Sequence, residues 1–345
     1  MLTDLKFEFR PYQRPFRQPL LTHHGLWSVR EGILIRLTDT HSGLQRYGEI
    51  APIPWFGSET FEQALEWCRQ LPERISVAHL FGIPDTLPAC QFGFESAALA
   101  LQDPDEFHRD LSGLTFCGLL PAGEAALTAA GSLYEQGYRV LKWKIGVEER
   151  QREWQVFTEL INLIQQWPQD CRLRLDANGG LTDREAREWL ALCDQINHHS
   201  PGRIEFLEQP LSPHYLTELL QLSQDSQTPI ALDESVAQLS QFRVLRRWPG
   251  ILVVKPSLIG SRRAFQAEID QHSGRDLVFS SALETPIGTW QGITLAGSLQ
   301  AKTACPRALG WGVGNLFPIG DPLTLLRASA EERETLLQEV WDFYG

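Results

Sequence analysis

The side chains best suited to chemistry are lysines and acids spread through the middle of the chain. Lys142 and Lys144 stand two residues apart. Asp176, Glu208 and the pair Asp233-Glu234 follow at steps of roughly 20–35 residues, and Lys255 closes the series. Carboxylates without histidine or cysteine beside them suit a hard divalent cation, and Mg2+ fits best, with water and a substrate oxygen completing its octahedron. Such a cation can hold both oxygens of a substrate carboxylate and stabilise the enediolate formed when the adjacent proton leaves. A lysine beside another cation has its pKa drawn down toward neutrality, so its amine can act as a base. Positioned acid–base chemistry of this kind is worth ~10²–10⁴-fold in rate. Singly these residues say little, since a lone acid is commonly an ion-pair partner and a KxK pair commonly a solvated face. Together they could still form a ring of ion pairs, but such a ring does not require acids on three successive strands between lysines.

The elements that must position these residues change rhythm along the chain. The first hundred residues read as strands at 5–9, 33–37 and 47–50, then helices at 60–71 and 92–101, with Gln63 three residues after Thr60 as a capping box. Strands followed by helices predict an α+β domain, and the polar stretch 103–112 a linker. Beyond it, short apolar strands are expected at 115–119, 140–145, 173–176, 204–207, 230–233, 251–255, 277–280 and 307–311. Helical segments such as 148–167 and 183–196 separate them, the second opened by a Thr182…Glu185 box. This alternation predicts an α/β fold, a TIM-type (β/α) barrel behind an N-terminal α+β cap. An open doubly wound sheet would show a glycine-rich phosphate turn after its first strand, and Leu119-Leu120-Pro121-Ala122-Gly123 is not one. A last helix, opened by Ser329…Glu332, is expected to return to the cap. The divisions are placed at 1–106 (cap), 107–315 (barrel) and 316–345 (returning segment).

In a barrel the active site lies at the carboxyl ends of the strands, where these lysines and acids fall. Alternation along a strand puts Lys142 and Lys144 on one face, and groups Arg174 with Asp176 and Asn178. The lysine–acid set points to a small carboxylate substrate, and bulk properties bear on the other partners. The net charge of −12 disfavours nucleic acid and anionic membranes as partners. No apolar run nears the ~18 residues that span a bilayer. Six scattered cysteines suggest neither a zinc site nor disulfides, which fits a cytoplasmic monomer or small homo-oligomer without a signal peptide.

With its acids and lysines so placed, the chain resembles the enolase superfamily, in its muconate lactonizing enzyme-like branch, over nearly its whole length; lysine bases with magnesium are a known device of that superfamily. The resemblance implies a modified barrel whose N-terminal cap is completed by the C-terminal tail. It implies that Asp176, Glu208 and Asp233 bind Mg2+, that Lys144 is the acid/base, that Lys255 stabilises the enediolate and that Lys142 assists electrostatically. It also implies cap loops at 21–27 and 51–58. Three motifs look like those of the o-succinylbenzoate synthase family: Gly48-Glu49-Ile50-Ala51-Pro52-Ile53-Pro54 with Ser58-Glu59-Thr60, Arg174-Leu175-Asp176-Ala177-Asn178, and Ser280-Ser281-Ala282-Leu283-Glu284-Thr285. The implied reaction is a syn dehydration of a succinyl-hydroxycyclohexadiene carboxylate in menaquinone or phylloquinone synthesis. Glu208-Gln209-Pro210 departs mildly from the Glu-Glu-Pro common in relatives, at a position behind the implied metal ligands and not at a ligand. Substrate contacts are expected from Arg174, Asn178, Ser281 and Gly288, the last two as donors to a second carboxylate. Trp55 could line the pocket or anchor the cap; His23 and His24 read as solvated loop residues, and Gly179-Gly180 as a turn. The alternatives are an N-acylamino-acid racemase, a muconate-type cycloisomerase, and a silent barrel used for binding.

Overall fold

The protein structure, a computed structural model, describes residues 4–22, 25–103, 105, 108–317 and 324–344. Two sheets organise it. The cap sheet has the order β3-β2-β1-β4, built from β1 (Leu5–Thr22), β2 (Gly25–Asp39), β3 (Gln45–Ile50) and the short β4 (Arg74–Ile75). Its first two strands form a ribbon far longer than alternation at 5–9 and 33–37 predicts. The buried face of β1 changes sides along its length: Leu5 and Phe7 are buried, then Tyr12, Arg14 and Phe16. Phe7 packs against Phe94 of the cap helix Pro88–Gln102, whereas Phe16 stacks on Phe317 beyond the barrel's last strand. One ribbon thus serves two neighbours with opposite faces, and a single period of two cannot reveal it.

The edge strand β3 lies directly on the cap helix Pro88–Gln102. A Cβ at Gly48 would stand 2.3 Å from the Gly93 carbonyl oxygen, and one at Gly93 would stand 2.7 Å from that of Glu49. Glycine at both positions is what lets strand and helix backbones touch. The helix Phe61–Gln70 carries the expected Thr60–Gln63 capping box.

The second sheet is parallel and has eight strands: β5 (Phe116–Leu119), β6 (Val140–Lys144), β7 (Arg172–Asp176), β8 (Ile204–Glu208), β9 (Ile230–Leu232), β10 (Ile251–Val254), β11 (Leu277–Phe279) and β12 (Leu309–Gly312). The order is β11-β10-β9-β8-β7-β6-β5-β12, and a Ser280–Gly310 bridge brings its two ends together in a nearly closed barrel. Helices alternate with the strands outside it, as the sequence predicts. The register between β7 and β8 passes from Leu173–Ile204 to Arg174–Phe206, skipping Glu205. That bulge residue meets Arg174 (2.8 Å) and Arg307 (2.6 Å) in a buried network. Above it Phe206, Ala231, Val253 and Val278 form an apolar cluster.

The helix Ala330–Phe343, opened by the Ser329–Glu332 box, packs back on the cap. Trp341 lies under Arg10 and beside Tyr47, and Tyr12 meets Tyr344. Among the described residues no helix is long and apolar enough to cross a membrane.

Candidate active site

Six of the residues singled out in the sequence converge at the carboxyl ends of β6 to β10. Lys142, Lys144, Asp176, Glu208, Asp233 and Lys255 line one cavity of about 650 Å³. Each has a backbone reason to be there. Lys142 and Lys144 share a face of β6, and Lys144 pairs in register with Asp176, which pairs with Glu208. Asp233 and Lys255 sit one residue past β9 and β10. In the strand order β6 and β10 are four apart, so the KxK pair and Lys255 face each other across the barrel with the acids between.

The electrostatics are those of a crowded anionic cluster. Lys142 Nζ lies 2.8 Å from Asp176 Oδ2 and 2.7 Å from Glu208 Oε1, and Lys255 Nζ is paired with Asp233 Oδ1. Burial, and next Asp176, push the Glu208 carboxyl up to about 8, which Lys142 only partly offsets. Burial alone would lower the Lys142 ammonium, but Asp176 and Glu208 outweigh it and hold its pKa well above the usual lysine value. Glu234 is driven up to about 7 by burial and then by Asp233. Its Oε2 is buried without a hydrogen-bond partner among the described residues.

Among the described residues no acid cluster is preformed as a metal cage, since Lys142 stands between Asp176 and Glu208. The donors nevertheless fit a hard cation: oxygen ligands alone, on three neighbouring strands, with mutual repulsion that a bound divalent charge would relieve.

The expected substrate contacts divide. Arg174, Asn178 and Ser281 border the cavity, and Gly288 does not. Its N–H donates to Glu49 Oε2 at 2.9 Å inside the helix Pro286–Gln300, so it is spent on holding the cap. Arg174 is 1% exposed and committed to Glu205. Ser281 Oγ donates to Glu284 Oε2 at 2.6 Å, and Asn178 Nδ2 donates to Glu234 Oε1 at 3.1 Å. Trp55 does both jobs weighed for it, bordering the cavity and meeting Trp27 edge-on at 4.8 Å. His23 and His24 lie outside the described residues; on either side of them the segment expected as a cap loop at 21–27 continues β1 and β2 as a ribbon, not a loop.

The cap loop expected at 51–58 does border the cavity, and its turn Pro54–Phe56 sets the Phe56 ring 4.3 Å from Lys255 Nζ, a contact the sequence reading did not name. The Pro-Trp-Phe-Gly run marks the turn but not the lysine it covers. Leu20, Trp27, Val313 and Leu316 add an apolar wall.

A parallel barrel whose mouth sets lysines on both sides of an acid cluster, under a separate cap, defines a capped-barrel acid–base enzyme of the enolase type. Residues 124–310 match the model described as "Enolase C-terminal domain-like", and residues 6–101 that of "MenC, N-terminal domain". An o-succinylbenzoate synthase from Thermosynechococcus vestitus is 37% identical over 312 residues, 90% of this chain and 92% of the relative. The crystal structure of o-succinylbenzoate synthase from Thermosynechococcus elongatus, complexed with magnesium in its active site, superposes with a TM-score of 0.81. It is 35% identical, and the match covers 97% of this chain and 99% of that one. The L-Ala-D/L-Glu epimerase of Bacillus subtilis shares the fold, at a TM-score of 0.73 and 21% identity over 93% and 92% of the two chains. The chain belongs to the o-succinylbenzoate synthase family of the enolase superfamily.

Proposed function

We propose that this cavity dehydrates 2-succinyl-6-hydroxy-2,4-cyclohexadiene-1-carboxylate to o-succinylbenzoate, a step of menaquinone or phylloquinone synthesis. The observation that carries the reading is the placement of Lys144 at the end of β6 and Lys255 just past β10, across the cavity from each other, with Asp176, Glu208 and Asp233 between. Family membership supports the same reaction.

In this reading Asp176, Glu208 and Asp233 hold Mg2+, which when bound supplies positive charge to the substrate carboxylate as the neighbouring carbon loses its proton. Lys144 takes that proton at Nζ and returns it to the hydroxyl leaving from the same face, so one proton and one hydroxyl depart as water. Lys255 adds positive charge from the opposite side, and Lys142 keeps the acid cluster compensated. Phe56, Trp27 and Leu316 keep water from the reacting carbon. Ser281 and Asn178 are the remaining substrate contacts we assign; Arg174 acts from below by buttressing β7.

Residues 1–106 serve as the cap, 107–315 as the catalytic barrel and 316–345 as its return. A cytoplasmic monomer or small homo-oligomer handling a small carboxylate, with no nucleic-acid partner, suits six free cysteines of which five are buried. Formation of o-succinylbenzoate by the purified chain with Mg2+ tests the reading. Absence of product while the chain is folded and metal-loaded would overturn it.

A further inference from the structure

Asp233 lies where the sheet no longer holds it. Strand β9 is only Ile230–Leu232, and its pairing with β8 ends at Glu208–Ala231. The backbone beyond is held instead by the side chain of Gln209. Its Oε1 accepts from the N–H of Asp233 at 3.0 Å and of Ser235 at 3.2 Å. Its Nε2 donates to the Leu211 carbonyl and to Ser235 Oγ, both at 2.8 Å. Both amide hydrogens and both oxygen lone pairs are therefore used.

The backbone of the same residue ties the other strand ends. Gln209 N donates to the Ala231 carbonyl at 2.8 Å, and its own carbonyl accepts from Gly179 N at 2.7 Å. The residue is fully buried and adopts a left-handed φ of 36°, an unusual conformation for a side chain with a Cβ. One residue thus touches the ends of all three strands that carry Asp176, Glu208 and Asp233.

We propose that Gln209 is a positioning residue for the cation: its side-chain oxygen fixes the Asp233 backbone and so sets that carboxylate against Glu208. The proposal rests on the ligand assignment made above. Magnesium demands near-ideal octahedral geometry, so an aspartate on an unpaired backbone holds it poorly unless braced. Partners that orient ligands in this way typically cost about 10–100-fold in metal affinity when removed.

Calorimetric titration of the metal-free full chain with Mg2+ tests this. Gln209→Met keeps length and volume and loses every side-chain hydrogen bond of the residue; its Kd should weaken by about 10-fold or more, with the metal-free protein still folded by circular dichroism. Gln209→Glu keeps the accepting oxygen but loses the donor to the Leu211 carbonyl, so its Kd should fall between those of the wild type and Gln209→Met. A merely structural Gln209 would lower metal-free stability and leave Kd unmoved in Gln209→Met, which overturns the proposal. Equal weakening in Gln209→Met and Gln209→Glu overturns it too, because the accepting oxygen would then not be the cause. Should Gln209→Met not fold, Gln209→Asn, whose amide falls one methylene short, carries the same expectation. Asp233→Asn in the same titration separates the two readings. Wild-type affinity there refutes the ligand assignment, whereas its loss beside an unaffected Gln209→Met refutes only the role of Gln209.

Discussion

Glu49 on the edge of the cap sheet and Thr285 at the head of a barrel helix, 236 positions apart, share a buried cluster of hydrogen bonds. Thr285 N–H donates to both carboxylate oxygens at 3.0 and 3.1 Å, and its hydroxyl donates to Oε2. Tyr12 donates at 2.6 Å and Gly288 N–H at 2.9 Å. A carboxylate over the first turn of Pro286–Gln300 meets the positive end of that helix. From the same cap, Arg14 reaches the Glu284 carbonyl at 2.9 Å and Arg30 the Ala282 carbonyl at 3.1 Å. The 281–285 segment, whose first three residues border the cavity, is therefore gripped by the cap.

Removing that carboxylate should loosen the grip. Glu49→Ala leaves several buried donors without an acceptor and is expected to cost about 3–5 kcal/mol of stability. Glu49→Gln, which keeps the shape, should lose less. Urea denaturation of both variants checks the order, and an unchanged midpoint in Glu49→Ala would contradict it.

Chelation should abolish product formation and Mg2+ should restore it. Asp233→Asn keeps the shape of the site and removes one charge, so it should raise the Mg2+ concentration needed for half-maximal rate. Full turnover by thoroughly stripped protein would remove the cation from the mechanism.

The two lysines should respond differently to arginine. Lys144→Arg should be almost as inactive as Lys144→Ala, because a guanidinium stays protonated and cannot take a proton. Lys255 is asked only for positive charge, so Lys255→Arg should keep part of the rate. Steady-state kcat of the variants decides, and the reverse order would exchange the roles.

At the other end of the barrel, Glu205 makes stability depend on pH. Burial by itself would raise its carboxyl, but the guanidiniums of Arg174 and then Arg307 overcome this and hold it below the usual carboxylate range. A depressed folded-state pKa gives stability that is fully present above the unfolded value of about 4.3 and is lost as pH falls through the folded value. The wild type should exceed Glu205→Gln by about 3–5 kcal/mol near neutrality, since the substitution strands the buried Arg174 guanidinium, while Arg307 keeps Asp276. That gap should close in acid, as measured by denaturation across pH. A gap that widens there would refute the sign.

Substrates with a free ammonium should fail. The acids bordering the cavity, Asp176, Glu208, Asp233 and Glu234, all belong to the one cluster assigned to the cation and partly offset by lysines, and the stretch 301–320 contains no acid. Unblocked dipeptides should show no measurable epimerisation by polarimetry, while N-succinyl amino acids, which lack the ammonium, could racemise slowly beside fast dehydration. Racemisation outrunning dehydration would favour a racemase.

Legibility in the sequence followed the range of the forces involved. Lys144, Asp176, Glu208, Asp233 and Lys255 could be placed because strand alternation and the barrel's geometry are local and regular. The capping boxes at Thr60, Thr182 and Ser329 were equally local, and each forms. The long ribbon of β1 and β2 was hidden by its change of buried face. Gly288 was expected near the substrate because it lies close in sequence to strand β11, yet Glu49, from a distant strand, claims its N–H. Phe56 over Lys255 and Gln209 under Asp233 depend on pairings that no spacing announces.

The C-terminal helix Ala330–Phe343 also has a consequence for the order in which the molecule can be completed. Arg10 donates to the Trp341 carbonyl across 331 positions, and Tyr47 to Gln338 across 291. At ~5–20 residues per second, the cap strands wait roughly 15–65 s on the ribosome before that helix is made. Through that interval Tyr12, Tyr47 and the edge of β3 lack their final cover, so the nascent chain needs its cap sheltered while the barrel emerges. A chain stopped before Ala330 should keep its barrel strands yet be cut readily by protease within β1–β3, and full resistance there would show that the cap closes without the helix.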